Sequence, residues 1–135
     1  MREIWFKAKR IDNGEWVEGY YVMFSTSITH PYSHTNGEHN IITVPHNERY
    51  KIDPETLCQD TGLTDKNGRK IWENDIVYIP YENLGDSTCR VVFKRGAFIG
   101  ELYDGCEDSI CYTNKEFVIG NIFDNPELLR KESEE

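Results

Sequence analysis

Ile4-Trp5-Phe6-Lys7-Ala8-Lys9-Arg10-Ile11, then Asp12-Asn13-Gly14, then Glu15-Trp16-Val17-Glu18-Gly19-Tyr20-Tyr21-Val22-Met23-Phe24 read as two β-strands around a turn. Asn-Gly tolerates positive φ at both central positions, which suits the twist of a hairpin. Trp16, Tyr20, Tyr21 and Val22 are aromatic or β-branched, the types that fill strands. An N-terminal hairpin follows.

The same pattern of short apolar runs and turn dipeptides continues along the chain. Ile41-Ile42-Thr43-Val44 and Tyr50-Lys51-Ile52 are two short strands around Pro45-His46-Asn47. Asp53-Pro54 places a capping side chain before a proline at the first helical position, which predicts one helical turn. Asp65-Lys66-Asn67-Gly68 is a turn leading into residues 69–72 and the β-branched run Asp75-Ile76-Val77-Tyr78-Ile79, which Pro80 should end. Residues 89–94 and 97–102 form a second meander through Arg95-Gly96, and residues 116–119 add a strand. Asn125-Pro126-Glu127-Leu128-Leu129 repeats the cap-and-proline pattern and predicts a short C-terminal helix.

Residues 25–40 and 104–115 read as loops within one domain, since no repeat or low-complexity linker divides the chain. The expected fold is mostly β: a single domain over residues 1–130, built from antiparallel meanders, with residues 131–135 as an acidic solvated tail. Closure removes exposed strand edges, so a small SH3-like barrel with an extra hairpin and a short C-terminal helix is the predicted architecture.

A chain of 135 residues buries roughly 68% of its unfolded surface on folding, enough to need neither disulfide nor metal. Fifteen Lys and Arg against 24 Asp and Glu leave a formal charge of −9, which repels nucleic acid and anionic membrane at long range. No stretch approaches the ~20 apolar residues of a membrane span, and Met1-Arg2-Glu3-Ile4-Trp5-Phe6 lacks the apolar core of a leader. The expected location is therefore the cytoplasm. Cys58, Cys89, Cys106 and Cys111 are expected to be thiols there, and their spacing lacks the paired sets of a structural zinc site. His30, His34, His39 and His46 fall in or beside a turn-rich segment and read as exposed loop residues rather than ligands.

Three blocks together point to a family. Gln59-Asp60-Thr61-Gly62-Leu63-Thr64-Asp65-Lys66-Asn67-Gly68-Arg69-Lys70-Ile71-Trp72-Glu73-Asn74-Asp75-Ile76-Val77 resembles the central signature of the YopX family of phage and prophage proteins. Arg2-Glu3-Ile4-Trp5-Phe6-Lys7-Ala8 is similar to its opening strand, and the stretch from Phe117 to Leu129 is similar to its closing motif. Asn74 stands where the family usually has glycine, and Asp60 where it usually has an aromatic residue. Asn tolerates the left-handed backbone and so can replace a turn glycine. Asp60 is expected to face solvent. The resemblance implies a bacterial cytoplasmic phage or prophage setting rather than a reaction.

Gly62, Gly68 and Gly120 read as turn residues, and Leu63, Ile71, Ile76 and Val77 as core. What the fold does not obviously require is the polarity of Asp65, Lys66, Asn67, Glu73 and Asp75, the candidate binding surface. Glu73 and Asp75, two apart at a strand entrance, would share a face on a regular strand. No nucleotide-binding glycine loop, nucleophile elbow or His-Glu-x-x-His motif is present, so no catalytic residue, metal or cofactor is assigned. The leading expectation is a non-catalytic protein that binds a host or phage protein, with homo-oligomerisation open. Lys7-Ala8-Lys9-Arg10, residues 66–70 and Lys94-Arg95 form a possible basic stripe, which makes a nucleic-acid-binding barrel the alternative. An enzyme or small-ligand binder with an acidic surface site is the second alternative.

Overall fold

The computed structural model describes residues 4–25, 37–81, 85–102, 107–108 and 116–129. The chain divides into two compact units, Met1–Gln59 and Asp60–Glu135. The fold is mostly β, with every strand pairing antiparallel and two 3₁₀ turns as the only helical segments among the described residues.

The first unit contains β1 (Phe6–Lys9), β2 (Trp16–Ser25), β3 (Gly37–Ile42), β4 (Arg49–Lys51) and the start of β5 (Cys58–Thr64), hydrogen-bonded in the order β4-β3-β2-β1-β5. The predicted hairpin is β1-β2, with Lys9 opposite Trp16. Its connection is wider than a two-residue turn. Arg10 N–H donates to Glu15 O and Gly14 N–H to Arg10 O, and of the Asn13-Gly14 pair only Gly14 has positive φ, at 73°. The Asn13 side chain instead accepts from Glu15 N–H at 2.9 Å. β3 begins at Gly37, inside the segment expected to be loop.

Asp53 caps the 3₁₀ turn Pro54–Thr56 by accepting from Glu55 N–H at 3.0 Å, as the cap-and-proline pattern predicts. Thr56 Oγ1 then accepts from Lys9 N–H at 2.8 Å, fastening the turn to β1. Ala8, Ile41 and Ile52 are buried among Phe6, Val17, Tyr21 and Leu57, the core of this unit.

The second unit continues β5 and adds β6 (Lys70–Trp72), β7 (Asp75–Tyr81), β8 (Gly85–Lys94), β9 (Ala97–Leu102), β10 (Glu107–Asp108) and β11 (Phe117–Asn121). Five of these pair in the order β10-β9-β8-β7-β11, and β5 pairs with β6. The β8-β9 hairpin is as predicted: Lys94 faces Ala97, and Arg95 and Gly96 take φ of 51° and 80°, both positive. Ile71, Val77, Ile79, Cys89, Val91 and Val118 form the core, with Leu63, Phe98 and Leu102 against it.

Among the described residues no pairing closes either set of strands, so they hold open antiparallel sheets where a small SH3-like barrel was expected. A four-residue 3₁₀ turn, Pro126–Leu129, stands where a short C-terminal helix was expected. Gly62 lies in a bulge of β5 at φ 83°, where the register to β6 shifts between Asp60 and Leu63, and Gly120 lies within β11; neither is in a connecting turn. Pro80 does not end β7. It pairs with Asp86 of β8 beyond the reach of β11, whose pairing stops at Tyr78, so the missing N–H leaves no gap on that side.

Candidate functional site

The five residues proposed from sequence occupy two separate turns. In the first, Asp65 is 7% exposed, and its Oδ1 accepts from Asn67 N–H and Arg69 N–H, each at 2.9 Å. Its Oδ2 accepts from Val118 N–H at 3.0 Å, binding the turn to β11 across 53 positions of sequence. Burial pushes the Asp65 carboxyl upward, and the N–H groups of Val118, Arg69 and Asn67 outweigh it, leaving its pKa below the ordinary aspartate value. Lys66 and Asn67 are exposed, with Lys66 Nζ 4.5 Å from the centre of the Phe117 ring.

In the second turn, Asp75 is 3% exposed and its Oδ2 accepts from Trp72 N–H at 2.8 Å. Glu73 is half-buried and precedes β7, beside Asn74 at φ 71°, so the strand-face argument does not apply to Glu73 and Asp75. The Asp65 and Asp75 carboxylates are thus engaged by backbone N–H groups inside the fold, which leaves Lys66, Asn67 and Glu73 as the accessible members. Among the described residues no group of three or more His, Cys, Asp or Glu could hold a metal ion.

The basic stretches are broken up by local partners. Arg10 pairs with Asp12 at 2.6 Å, Lys94 with Glu101 at 2.5 Å, and Lys70 with Asp60 at 3.7 Å. The Asp60 side chain is only 12% exposed and also accepts from Gly62 N–H, so it turns back onto β5 rather than into solvent. His46 is exposed, as expected, whereas His39 is half-buried, its ring stacked on Tyr21 and its Nδ1 sharing a 2.5 Å hydrogen bond with the Tyr21 hydroxyl. Cys58 and Cys89 are buried free thiols, and burial, with the Glu116 charge, pushes Cys89 up to about 12. His30, His34, Cys106, Cys111 and the tail at 131–135 lie outside the described residues.

A different surface emerges on the first unit. Strand alternation sends Phe6 and Ala8 of β1, and Val17 and Tyr21 of β2, into the core. It sends Lys7 and Lys9, with Trp16, Glu18, Tyr20 and Phe24, to the opposite face. There Lys7 Nζ lies 4.6 Å and Lys9 Nζ 5.5 Å from the Trp16 ring centre. Trp5 stacks on Tyr20 with centroids 5.0 Å apart, and the Arg49 guanidinium lies 5.3 Å from the Phe24 ring. Tyr20 and Phe24 remain 45% and 40% exposed. The period-two alternation of Lys7-Ala8-Lys9 against Trp16-Val17-Glu18 is the signal the sequence carries for this face, and it becomes specific only with the register that pairs Lys9 with Trp16. Charge is also uneven, with six Lys and Arg against eight Asp and Glu in residues 1–59, and nine against sixteen in residues 60–135.

Residues 5–130 match the family described as YopX protein. The chain belongs to the YopX family. Two solved structures match nearly all of it. Protein EF1440 from Enterococcus faecalis is 26% identical, with a TM-score of 0.57, over 95% of this chain and 99% of that one. Protein yopX from Bacillus subtilis is 17% identical, with a TM-score of 0.57, over 93% and 98%, and at that identity shows the fold alone. No curated protein matches. The departure from the YopX pattern at Asn74 has its physical reason in the left-handed φ that this turn requires, where the side chain also accepts from Arg90 Nη2 at 3.2 Å.

Proposed function

We propose that this chain is a non-catalytic phage or prophage accessory protein that acts in the bacterial cytoplasm by binding another protein through the outward face of β1 and β2. The observation that carries this reading is the cluster of Trp5, Trp16, Tyr20 and Phe24 on one face with Lys7, Lys9 and Arg49 interleaved. Trp, Tyr and Arg are the residue types that dominate binding hot spots, and Tyr20 and Phe24 present their rings to solvent. The turn bearing Lys66 and Asn67, and Glu73 beside the next, is the competing surface.

Affinity capture from lysate of a phage-carrying host, with nuclease added, tests the reading. Tyr20→Ala with Phe24→Ala should remove the captured protein, while Lys66→Ala with Asn67→Ala and Glu73→Ala should leave it. The reverse result would move the contact to the turns. A second reading, nucleic-acid binding, draws on the alternation of lysines and aromatics across a sheet, as in single-strand binding surfaces. Nuclease-sensitive, salt-sensitive recovery would favour it, and the charge of −9 weighs against it.

A further inference from the structure

We infer that the partner anchors on this face through an arginine side chain, which displaces Arg49 from the Phe24 ring and donates to the buried amide oxygen of Asn40. The inference rests on the protein-binding reading given above and specifies the partner's chemistry. Ile41 enters the core, so its neighbour Asn40 belongs to the outward face, between Val22 of β2 and Lys51 of β4. Asn40 is nonetheless wholly buried. Its Nδ2 donates to Glu38 O at 3.4 Å, which sets the orientation of the amide, and its Oδ1 has no hydrogen-bond partner among the described residues. A buried acceptor left unpaired costs stability, and an apolar side chain of similar shape would carry no such cost. Asn40 is therefore ill suited to packing and well suited to receiving a donor.

The register shows what roofs Asn40. Arg49 lies opposite Ile42 and Phe24 opposite Glu38, so the two side chains start on either side of Asn40 along β3. With the Arg49 guanidinium 5.3 Å from the Phe24 ring centre, they meet diagonally across Asn40. Arg49 is exposed, and a cation–π contact at an exposed site is weak, so a competing group can lift it away. The floor beneath selects a guanidinium. Phe24 already holds one over its ring and stays 40% exposed, and the Glu38 side chain across from it is 41% exposed, beside Lys51 Nζ at 3.3 Å. An arginine arriving from outside the sheet can stack on the ring, point one N–H down at Asn40 Oδ1 and turn another toward Glu38. Arg49, reaching in along the face from β4, leaves that oxygen unpaired. An acidic side chain would meet Asn40 Oδ1 acceptor to acceptor and be repelled by Glu38. The formal charge of −9 draws a cationic partner at long range.

The test uses the full-length chain and two probes: Nα-acetyl-arginine methylamide and its citrulline analogue, which keeps the shape and removes the charge. Binding is read from NMR shifts of the Asn40 side-chain amide and the Phe24 ring. A probe this small should bind at about 1 mM, and the citrulline analogue about tenfold more weakly. Asn40→Leu should weaken the arginine probe about tenfold, Glu38→Gln should weaken it about threefold, and Arg49→Ala should tighten it about threefold by removing the competitor. Thermal melts establish that each variant is folded. No shift at Asn40, equal binding of the citrulline analogue, full binding by Asn40→Leu, or binding by Arg49→Ala that is unchanged or weaker overturns the inference. Where Asn40→Leu does not fold, full binding by Glu38→Gln overturns it instead. Capture lost with Tyr20→Ala and Phe24→Ala but kept with Asn40→Leu and Glu38→Gln overturns the arginine anchor alone, leaving the protein-binding face standing.

Discussion

Replacing Asp65 by Asn changes one oxygen and removes one charge at the point where three backbone N–H groups meet. With the amide oxygen in the place of Oδ1, Asn67 and Arg69 keep their partner but lose the charge that strengthens both bonds. The amide NH₂ then faces the Val118 N–H, donor to donor, in a buried setting. An unsatisfied buried donor costs about 1–3 kcal/mol, and the weakened pair adds to it, so Asp65→Asn should destabilise the protein by about 2–4 kcal/mol at pH 7. At about 4 °C per kcal/mol for a chain of this length, Tm should fall by about 8–16 °C.

The loss should depend on acidity. Because the folded pKa is depressed, the charged carboxylate stabilises the fold fully above the ordinary aspartate value of about 3.9, and that contribution disappears as pH falls through the folded pKa. The stability gap between the natural protein and Asp65→Asn should therefore narrow between pH 5 and the acid limit of folding. Urea unfolding followed by far-UV circular dichroism across that range measures it. A gap under about 0.5 kcal/mol at pH 7, within the range of ordinary surface substitutions, would refute the reasoning, as would a gap that does not shrink in acid.

Gly19→Ala places a Cβ 2.1 Å from the Ile42 carbonyl oxygen and 2.8 Å from its carbon, where only backbone could yield, so a loss of about 3 kcal/mol or failure to fold should appear in urea melts. Asn74→Ala should cost about 1–2 kcal/mol for the left-handed backbone, and Asn74→Gly should cost less than Asn74→Ala; equal costs would remove backbone conformation as the cause. Cys89 should resist iodoacetamide at pH 8 in the folded protein and react once urea unfolds it, as read by peptide mapping, since a thiol near pKa 12 is about 0.01% thiolate there.

The hairpins were legible because their determinants are local. Arg95-Gly96 and Asp53-Pro54 carry their backbone preferences in two or three residues, and the structure uses both as read. β5 escaped because Gln59-Asp60-Thr61-Gly62 has the composition of a turn, while the bulge that accommodates Gly62 depends on β6. Barrel closure has no local signal at all: it depends on whether terminal strands meet, which short apolar runs do not encode. The backbone contacts of Asp65 and Asp75 were hidden in a similar way. An acid beside turn residues looks solvated, and only the arrival of Val118, far along the chain, makes Asp65 a buried acceptor. The aromatic face was within reach of pattern alone, given the hairpin register that sets Lys9 opposite Trp16.

The turn at Asp65 also bears on how the protein behaves in a crowded solution. β11 ends its five-stranded sheet, and such a strand is a template on which a foreign chain can accrete. Here the Glu116 carbonyl and the Val118 N–H, which a newcomer would seek on that side, are taken by Lys66 N–H and the Asp65 carboxylate. Beyond them the register slips between Val118 and Gly120, spoiling the repeat that an added strand would need. The same small turn that holds the second unit together therefore works as a guard against aggregation.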